Sequence, residues 1–206
     1  LQAAGPDSVA ALWPEDARLH YRLPAYDVEL EFRPTDFTQV NGVMNGLMVE
    51  QAMALLDPGP RERVLDLFCG LGNFTLPIAR KARSVTGVEG DVKLVQRARD
   101  NAQRNGIANA DFHAADLDSA DAPWPWLTGG FDKILLDPPR TGALAAVRRI
   151  GPLNAARIVY VSCNPATFAR DAAELVRHHG YRLASAGVMD MFPHTTHVEC
   201  MALFEK

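Results

Sequence analysis

The feature that most constrains the fold is a short apolar run, residues 64–68, which ends at two glycines and is followed by a helical pattern. The run has the length and apolar content of a buried parallel strand. Gly70 and Gly72 allow the backbone to turn tightly and to approach a ligand closely. A strand, a glycine loop and a helix in this order predict a doubly wound α/β fold, which binds nucleotides at the carboxyl end of its first strand.

The glycine loop alone does not identify a ligand, because any α/β domain can carry a tight turn there. A dinucleotide fingerprint requires a third glycine, but Thr75 stands in its place, and no phosphate-binding Gly-Lys-Ser/Thr sequence follows. A second predicted strand, residues 85–89, ends in Glu89, whose carboxylate is well placed to accept hydrogen bonds from ribose hydroxyls. The pattern favours a nucleoside without phosphates and resembles that of S-adenosylmethionine-dependent methyltransferases.

Length and composition fit one principal domain. The 206 residues can bury a core of ordinary size, and predicted strands and helices alternate. The net charge of −4 is unfavourable for a nucleic-acid-binding protein, because phosphate affinity comes chiefly from Lys and Arg, although local basic patches stay compatible with binding. No apolar run approaches the roughly 20 residues needed to span a bilayer, so we expect no membrane partner.

Cysteine usage and the start of the chain indicate the compartment. Cys69, Cys163 and Cys200 are an odd number without CxxC spacing, so the sequence predicts neither a disulfide framework nor a metal site. The first residues lack the charged and apolar regions of a signal peptide. We therefore expect a cytoplasmic, monomeric protein.

The amino-terminal residues differ in composition from the remainder. Residues 1–36 are rich in Pro, Ala and charge, and only residues 26–32 alternate in the manner of a half-exposed strand. We interpret residues 1–36 as the remnant of a preceding central domain and linker, and residues 37–206 as the methyltransferase catalytic domain. A helix over residues 44–56 is expected to cover the sheet.

Two acidic residues lie at the ends of the third and fourth predicted strands. Asp116 is the last residue of a short strand at residues 111–116 and is suited equally to bonding an adenine amino group or to capping a turn. Asp137 ends the strand at residues 131–136 and is followed by two prolines and Arg140. The prolines remove two N–H donors and fix the backbone, which would hold the Asp137 carboxylate over a cleft. This sequence resembles a motif that holds planar substrates in base-modifying methyltransferases; a structural turn is the alternative.

Cys163 follows the fifth predicted strand, residues 157–162, and precedes a helix for which Asn164 is a suitable N-cap and Pro165 a suitable first residue. The partial positive charge of a helix amino terminus is expected to favour the thiolate. We interpret the other two cysteines as small buried hydrophobic residues. Trp124 and Trp126 are interpreted as a buried cluster rather than as exposed stacking groups.

The last two strands are predicted at residues 181–190 and 199–204. We expect the final strand to be antiparallel and to lie at the edge of a seven-stranded sheet. Glu199 opens this otherwise apolar strand. Either its carboxyl is partly withdrawn from water and can act as a base, or it is a solvent-facing edge charge.

Five segments together resemble the RNA uracil-5-methyltransferase family, in the same order as in that family: residues 37–41, 66–74, 137–140, 162–165 and 197–200. The resemblance covers about four fifths of the chain. Phe68 stands where other methyltransferases have glycine and matches this family's own variant. The resemblance implies a doubly wound, seven-stranded, Rossmann-like fold with an antiparallel last strand, S-adenosyl-L-methionine as methyl donor and S-adenosyl-L-homocysteine as product.

The resemblance also implies roles for individual residues. Cys163 matches the nucleophile and Glu199 the general base, while Asp137 and Arg140 would address the target base. The residues that would line the S-adenosylmethionine site are Gln39, Phe68, Gly70, Asn73, Glu89, Asp116 and Asp137.

Within the family, the segments around Gln39 and Gly70 look closer to the bacterial 23S ribosomal RNA enzymes than to the tRNA enzymes, which makes ribosomal RNA the expected partner. The ribosomal RNA enzymes carry an amino-terminal nucleic-acid-binding barrel and an iron–sulfur cluster, and we expect the cluster only in that preceding region, which this chain lacks. Three alternatives stay open: a tRNA uridine-C5 methyltransferase, an amino-group methyltransferase with an inert Cys163, and a cofactor-binding module that is inactive without its RNA-binding domains.

Overall fold

The computed structural model describes residues 8–9, 13–14, 17–121, 123–127, 129–191, 194–195 and 198–206. His197, which belongs to the last segment of the family resemblance, lies outside these residues. Helices and strands follow in this order: β1 Leu19–Leu23, β2 Val28–Phe32, α1 Gly42–Leu56, β3 Arg63–Leu67, α2 Thr75–Ala79, β4 Ser84–Glu89, α3 Val92–Arg104, β5 Ala110–Ala114, β6 Lys133–Leu136, α4 Leu144–Ile150, β7 Arg157–Ser162, α5 Pro165–His178, β8 Arg182–Met189 and β9 Glu199–Glu205.

Seven strands form one sheet in the order β5-β4-β3-β6-β7-β9-β8. The strands β3 to β7 are parallel to one another, whereas β9 is antiparallel to both of its neighbours, β7 and β8. The sequence order of the strands reverses between β3 and β6, which creates the crevice in which doubly wound folds bind ligands. The predicted Rossmann-like fold with an antiparallel last strand is therefore confirmed.

The predicted position of the last strand is wrong. The strand β9 lies inside the sheet between β7 and β8, and β8 forms the edge. The burial pattern gives the reason, because Cys200–Phe204 are all buried apolar residues, whereas most side chains of β8 are exposed. A strand that is apolar on both faces is stabilised only where it is covered on both faces, and the more polar β8 tolerates the edge.

Both faces of the sheet are covered. Alternate residues of a strand enter opposite core clusters, as Val159 and Tyr160 of β7 do. The helices α1, α2 and α3 contribute to one cluster, and α4 and α5 contribute to the other. Trp124 and Trp126 are buried in the second cluster with ring centroids 4.9 Å apart, which confirms that they form a cluster rather than exposed stacking groups.

Side-chain caps fix the starts of the three long helices. α1 begins after Asn41, α3 after Asp91 and α5 after Asn164, and each of these side chains accepts a hydrogen bond from a backbone N–H in the first turn. Pro165 occupies the first position of α5, as predicted. These caps set where the loops beside the sheet end and the helices begin.

The hairpin formed by β1 and β2 is anchored to α3. The side-chain amide of Asn101 bonds the backbone of Glu31, and that of Asn105 bonds the backbone of Glu29. Leu23, Val28 and Leu30 are buried in the same cluster as α1 and α3. The hairpin thus packs directly on the domain, while the assignment of residues 1–36 to a preceding domain stays a prediction.

Within the described residues, none of the helices combines the length and the apolar character that crossing a lipid bilayer requires.

Candidate active site

A cavity of about 680 Å³ opens beside the carboxyl ends of the parallel strands. It brings together every residue that the sequence predicted for the site, although these residues come from elements spread over the whole chain. The predicted residues that line it are Gln39, Phe68, Gly70, Asn73, Glu89, Asp116, Asp137, Arg140, Cys163 and Glu199.

The loop after β3 forms one wall and turns through several left-handed residues. Phe68, Gly70 and Gly72 have φ angles of 63°, 54° and 101°. A left-handed conformation is unusual for a bulky residue such as Phe68, whereas glycine adopts it freely. The amide of Gly72 donates to the carbonyl of Cys69 at 2.9 Å and closes the turn.

Glu89 fixes this loop against the end of β4. One carboxylate oxygen accepts a hydrogen bond from the Gly70 amide at 3.0 Å, and the other accepts from the amides of Gly90 and Asp91 at 2.8 and 3.1 Å. An ionised carboxylate has about four acceptor positions, so these bonds leave capacity for a ligand hydroxyl. The carboxylate is thereby held rigidly at the cavity wall, as expected for a ribose-binding acid.

Asn73 is oriented by two residues that sequence reasoning missed. Its amide exchanges two hydrogen bonds with the amide of Asn45, at 2.9 and 3.0 Å, and its oxygen also accepts from the Tyr21 hydroxyl at 2.9 Å. The sequence did contain a signal for Asn45, because a polar residue on the buried face of α1 requires a hydrogen-bond partner. Tyr21 gave no such signal, since it reaches the cavity only through the packing of the β1–β2 hairpin.

Asp116 caps a turn, which is one of the two functions that the sequence left open, and it also lies at the cavity. Its Oδ1 atom accepts hydrogen bonds from the amides of Asp118 and Ser119 at 3.0 and 3.2 Å, so it caps a turn. The same side chain lines the cavity. The turn therefore positions the carboxylate at the site rather than excluding it.

Asp137 follows β6 directly and lies partly buried in the cavity wall. Removal from water, followed by the negative charges of Glu199 and Glu89, raises the pKa of its carboxyl to about 7. The carboxyl of Asp137 thus titrates near neutral pH. Arg140 is exposed at the mouth of the same cavity.

Cys163 follows β7 and is partly exposed to the cavity. Burial, followed by the charges of Glu199 and Asp137, raises the pKa of its thiol, although Arg140 acts in the opposite direction. The expectation that the helix amino terminus makes the thiolate the favoured form is therefore wrong for the free site. Desolvation and the two carboxyls outweigh a backbone hydrogen bond at Cys163 and the charge of Arg140.

Glu199 is 5% exposed and begins β9 inside the sheet. Burial raises the pKa of its carboxyl. The alternative of a solvent-facing edge charge is wrong, because β8 covers the outer side of β9. A carboxyl withdrawn from water in the same cavity as the Cys163 thiol is a suitable proton acceptor.

The cavity is strongly acidic. Five carboxyl side chains line it, and Arg140 is the one Lys or Arg among the lining residues. Such walls disfavour a polyphosphate and favour a ligand that carries positive charge together with apolar and ribose groups. Among the described residues, no cluster of histidine, cysteine and carboxylate side chains has a metal-binding arrangement.

Comparisons with known proteins agree with this geometry. A family model described as "Methyltransferase domain" matches residues 59–203. The 23S rRNA (uracil(1939)-C(5))-methyltransferase RlmD of Xanthomonas campestris pv. campestris (strain 8004) is 59% identical over 100% of this chain and 46% of its own length. The protein of the same name from Alkalilimnicola ehrlichii is also 59% identical, with the same coverage of both chains. The chain therefore spans about half the length of these curated relatives.

Among solved structures, the tRNA (uracil-54, C5)-methyltransferase of Pyrococcus abyssi in complex with S-adenosyl-L-homocysteine superposes with a TM-score of 0.77 and is 33% identical, covering 91% of this chain and 44% of that one. Precorrin 8W decarboxylase of Methanobacterium thermoautotrophicum superposes with a TM-score of 0.64 at 19% identity, covering 86% and 96%, and shares the fold alone. The resemblance to uracil-5-methyltransferases expected from the sequence is thus confirmed.

Proposed function

Because the chain belongs to the methyltransferase domain family, we propose that it transfers a methyl group from S-adenosylmethionine to C5 of a uridine in 23S ribosomal RNA. The observation that carries this proposal is the meeting of Cys163, Glu199 and Asp137 in one acidic cavity. A thiol, a buried carboxyl and a substrate-facing carboxyl are the groups that this reaction requires.

The residues of the cavity fit S-adenosylmethionine. Glu89 would accept hydrogen bonds from the ribose hydroxyls, and Asp116 would accept from the adenine amino group. Asn73, Gln39 and Asp137 would face the amino-acid end, whose ammonium group and neighbouring sulfonium suit acidic walls. When bound, S-adenosylmethionine supplies an electrophilic methyl group, and S-adenosylhomocysteine is the product.

Cys163 would provide covalent catalysis. C5 of uracil is a weak nucleophile, so the ring must be activated before methylation. The Cys163 Sγ atom, as the thiolate, adds to C6, and the electrons of the C5–C6 double bond move into an enolate with carbanion character at C5. C5 can then accept the methyl group.

Glu199 would complete the reaction. After methylation C5 carries both the methyl group and its original hydrogen. The Glu199 carboxylate removes this proton, the C5–C6 double bond forms again, and the C6–S bond breaks with its electron pair returning to Cys163. The products are 5-methyluridine and a regenerated thiolate.

Asp137 and Arg140 would orient the uracil ring. Asp137 follows β6, which lies in the sheet between β3 and β7. It is therefore placed between the glycine loop of the nucleoside site, which follows β3, and Cys163, which follows β7. Arg140 is exposed at the mouth of the cavity. A uracil that is stacked or base-paired within RNA must leave its stack to enter the cavity, which costs a few kcal/mol. Contacts of Asp137 and Arg140 with the uracil ring would offset this cost of unstacking.

The choice of ribosomal RNA rests on the relatives' names and similarity. The curated 23S rRNA enzymes are 59% identical to this chain, and the tRNA enzyme of known structure is 33% identical. A tRNA uridine is the alternative substrate. We propose that residues 37–206 form the catalytic domain, and that RNA selection involves parts of the relatives that this chain does not cover. The iron–sulfur cluster of such a region, the monomeric state and a cytoplasmic location stay predictions.

One experiment separates the candidate functions. The chain is incubated with a 23S ribosomal RNA fragment and S-adenosylmethionine, and the digested nucleosides are identified by mass spectrometry. We expect 5-methyluridine with the wild-type chain and none with Cys163→Ala. An N-methylated nucleoside, or unchanged 5-methyluridine in the variant, would contradict the proposal. S-adenosylmethionine binding without methylation would favour the cofactor-binding module.

A further inference from the structure

A buried carboxylate outside the cavity connects three segments that surround it. Asp171 of α5 is 0% exposed. Its Oδ2 atom accepts hydrogen bonds from the Ala143 amide at 2.6 Å and from the Tyr160 hydroxyl at 2.7 Å. Its Oδ1 atom accepts from the Arg170 guanidinium, with both contacts at 2.8 Å. A buried charge is tolerated where such donors satisfy it, so this arrangement depends on all of its members.

The donors link the two catalytic loops. Ala143 ends the loop of residues 137–143, which carries Asp137 and Arg140, and its backbone amide is held by α5. Tyr160 lies on β7, three residues before Cys163. The Asp171 carboxylate therefore joins the loop that would face the uracil ring to the strand that presents the thiol.

Side chains in α5 and at its N-cap also donate hydrogen bonds to the carbonyl groups of the same loop. The Arg140 carbonyl accepts hydrogen bonds from Asn164 Nδ2 at 2.9 Å and from Thr167 Oγ1 at 3.2 Å. The Thr141 carbonyl accepts from Arg170 Nη2 at 3.0 Å. Two consecutive loop carbonyls are thus fixed by one face of the first two turns of α5.

Gly142 permits this close approach. Its φ angle is +77°, and a Cβ atom placed there would lie 2.6 Å from Arg170 Nη2, 2.7 Å from Asp171 Oδ2 and 2.9 Å from Thr167 Cβ. A side chain would strain the backbone and collide with the helix. The loop and α5 are therefore fitted to one another at this point.

We propose that Thr167, Arg170 and Asp171 are positioning residues, which hold the loop of residues 137–143 at the distance from Cys163 that the reaction requires. This inference rests on the proposed methyl transfer. Two prolines restrict the start of the loop, and α5 restricts its end, so Asp137 and Arg140 are held from both sides. A misplacement of about 1 Å at a reacting ring costs about 100-fold in rate, which gives such anchoring a large effect.

The network should affect chemistry more than cofactor binding. Its hydrogen bonds join α5 to β7 and to the loop after β6, whereas Gly70 and Glu89 of the nucleoside site bond one another on the other side of the cavity. The anchoring bonds reach residues 140–143, whereas Asp137, the loop residue that would face the cofactor, lies at the other end of the loop before the two prolines. Loosening the end of the loop should therefore reduce the turnover number for 5-methyluridine formation more than the affinity for S-adenosylmethionine. A residue that only stabilises the fold would affect both or neither.

The test uses Thr167→Val, Arg170→Gln and Asp171→Asn in the complete chain. The matched control is Arg177→Gln, the same change as Arg170→Gln on an exposed part of the same helix. Three quantities are measured: kcat and KM for 5-methyluridine formation, the dissociation constant of S-adenosylmethionine by calorimetry, and hydrogen exchange of the peptide spanning residues 140–147.

We expect Asp171→Asn, which disturbs buried hydrogen bonds, to lower kcat and to accelerate exchange in the peptide by about tenfold or more. Thr167→Val and Arg170→Gln remove exposed bonds to the loop, and we expect effects of about two- to tenfold on both quantities. The dissociation constant should change less than about twofold, and Arg177→Gln should match the wild type. If Asp171→Asn does not fold, the two milder variants carry the test.

Unchanged exchange in all folded variants would overturn the anchoring, and faster exchange with unchanged kcat would overturn its role in the reaction. Failure of the proposed function itself is distinguishable, because the wild-type chain would then form no 5-methyluridine. The exchange measurement would still decide whether α5 holds the loop.

Discussion

Cys163 and Glu199 stand opposite one another across the antiparallel pairing of β7 and β9, because the register places Ser162 directly against Cys200. The thiol follows the last residue of one strand, and the carboxyl is the first residue of the other. Both side chains line the same cavity. The position of β9 inside the sheet thus creates the pair that would act on C6 and C5 of one uracil ring.

Replacing the proposed base should halt the reaction after methylation. In Glu199→Gln, Cys163 can still add to C6 and C5 can still be methylated, but no carboxylate removes the C5 proton. We expect turnover to fall by about 10²–10⁴-fold, the usual contribution of a general base. A covalent complex between the protein and an RNA that contains ordinary uridine should accumulate and be visible on denaturing gels. Normal turnover in this variant would exclude Glu199 as the base.

The same substitution should make Cys163 easier to ionise in the free protein. Glu199 contributes to the raised pKa of the Cys163 thiol through its negative charge. Its removal should lower that pKa and accelerate iodoacetamide alkylation of Cys163 at pH 7.5, as quantified by peptide mapping. Glu205→Gln, at the other end of β9, is the control and should leave the rate unchanged. A slower reaction in Glu199→Gln would contradict the electrostatic account.

The proposed ribose-binding role of Glu89 can be tested by cofactor affinity. Glu89→Gln keeps the size of the side chain but removes the charge and two of its acceptor positions. We expect S-adenosylmethionine to bind about tenfold more weakly or worse, since hydrogen bonds to charged groups contribute about 1.5–3 kcal/mol. Calorimetry measures this, with the exposed Glu50→Gln as control. Equal affinities in the two variants would remove Glu89 from the binding site.

Asp66, buried at the base of the glycine loop, should make stability depend on pH. Burial raises the pKa of its carboxyl from 3.8 to about 8, while the Thr75 hydroxyl donates to it at 2.5 Å. Between these two pKa values the folded state binds a proton that the unfolded state has released, so this group makes the free energy of unfolding fall as pH rises.

Asp66→Asn removes this titration. Its stability relative to the wild type should therefore increase between pH 5 and pH 8, as measured by urea unfolding of both proteins at each pH. A stability difference that is the same at both pH values would show that the Asp66 carboxyl is not protonated in the folded state.

The sequence was sufficient to predict the parallel strands of the sheet and the residues that line the cavity, because this cavity is built from strand ends. Glu89, Asp137 and Cys163 each follow an apolar run, and parallel strands bring such positions to one edge. The relative order of β8 and β9 was not predicted, although the unbroken apolar run of β9 was a usable signal, because a strand that is apolar on both faces is stabilised inside a sheet.

Contacts and charges between distant segments were also beyond sequence reasoning. Tyr21 reaches Asn73 only because the hairpin packs on α3, and no periodic pattern reports that packing. The pKa of the Cys163 thiol is raised first by burial and then by Glu199 and Asp137, which are 36 and 26 residues away in the chain. Local signals predicted positions, whereas the ionisation of the groups depended on the assembled cavity.

The central claim is that Cys163 adds to a uracil ring, and a trapping experiment tests it most directly. The chain is incubated with a short RNA that contains 5-fluorouridine and with S-adenosylmethionine, and its intact mass is measured. Fluorine at C5 cannot leave as a proton, so the account predicts a stable RNA adduct, mapped to Cys163 and missing in Cys163→Ala. An adduct that persists in Cys163→Ala, or its absence from a wild-type chain that methylates uridine, would contradict the account.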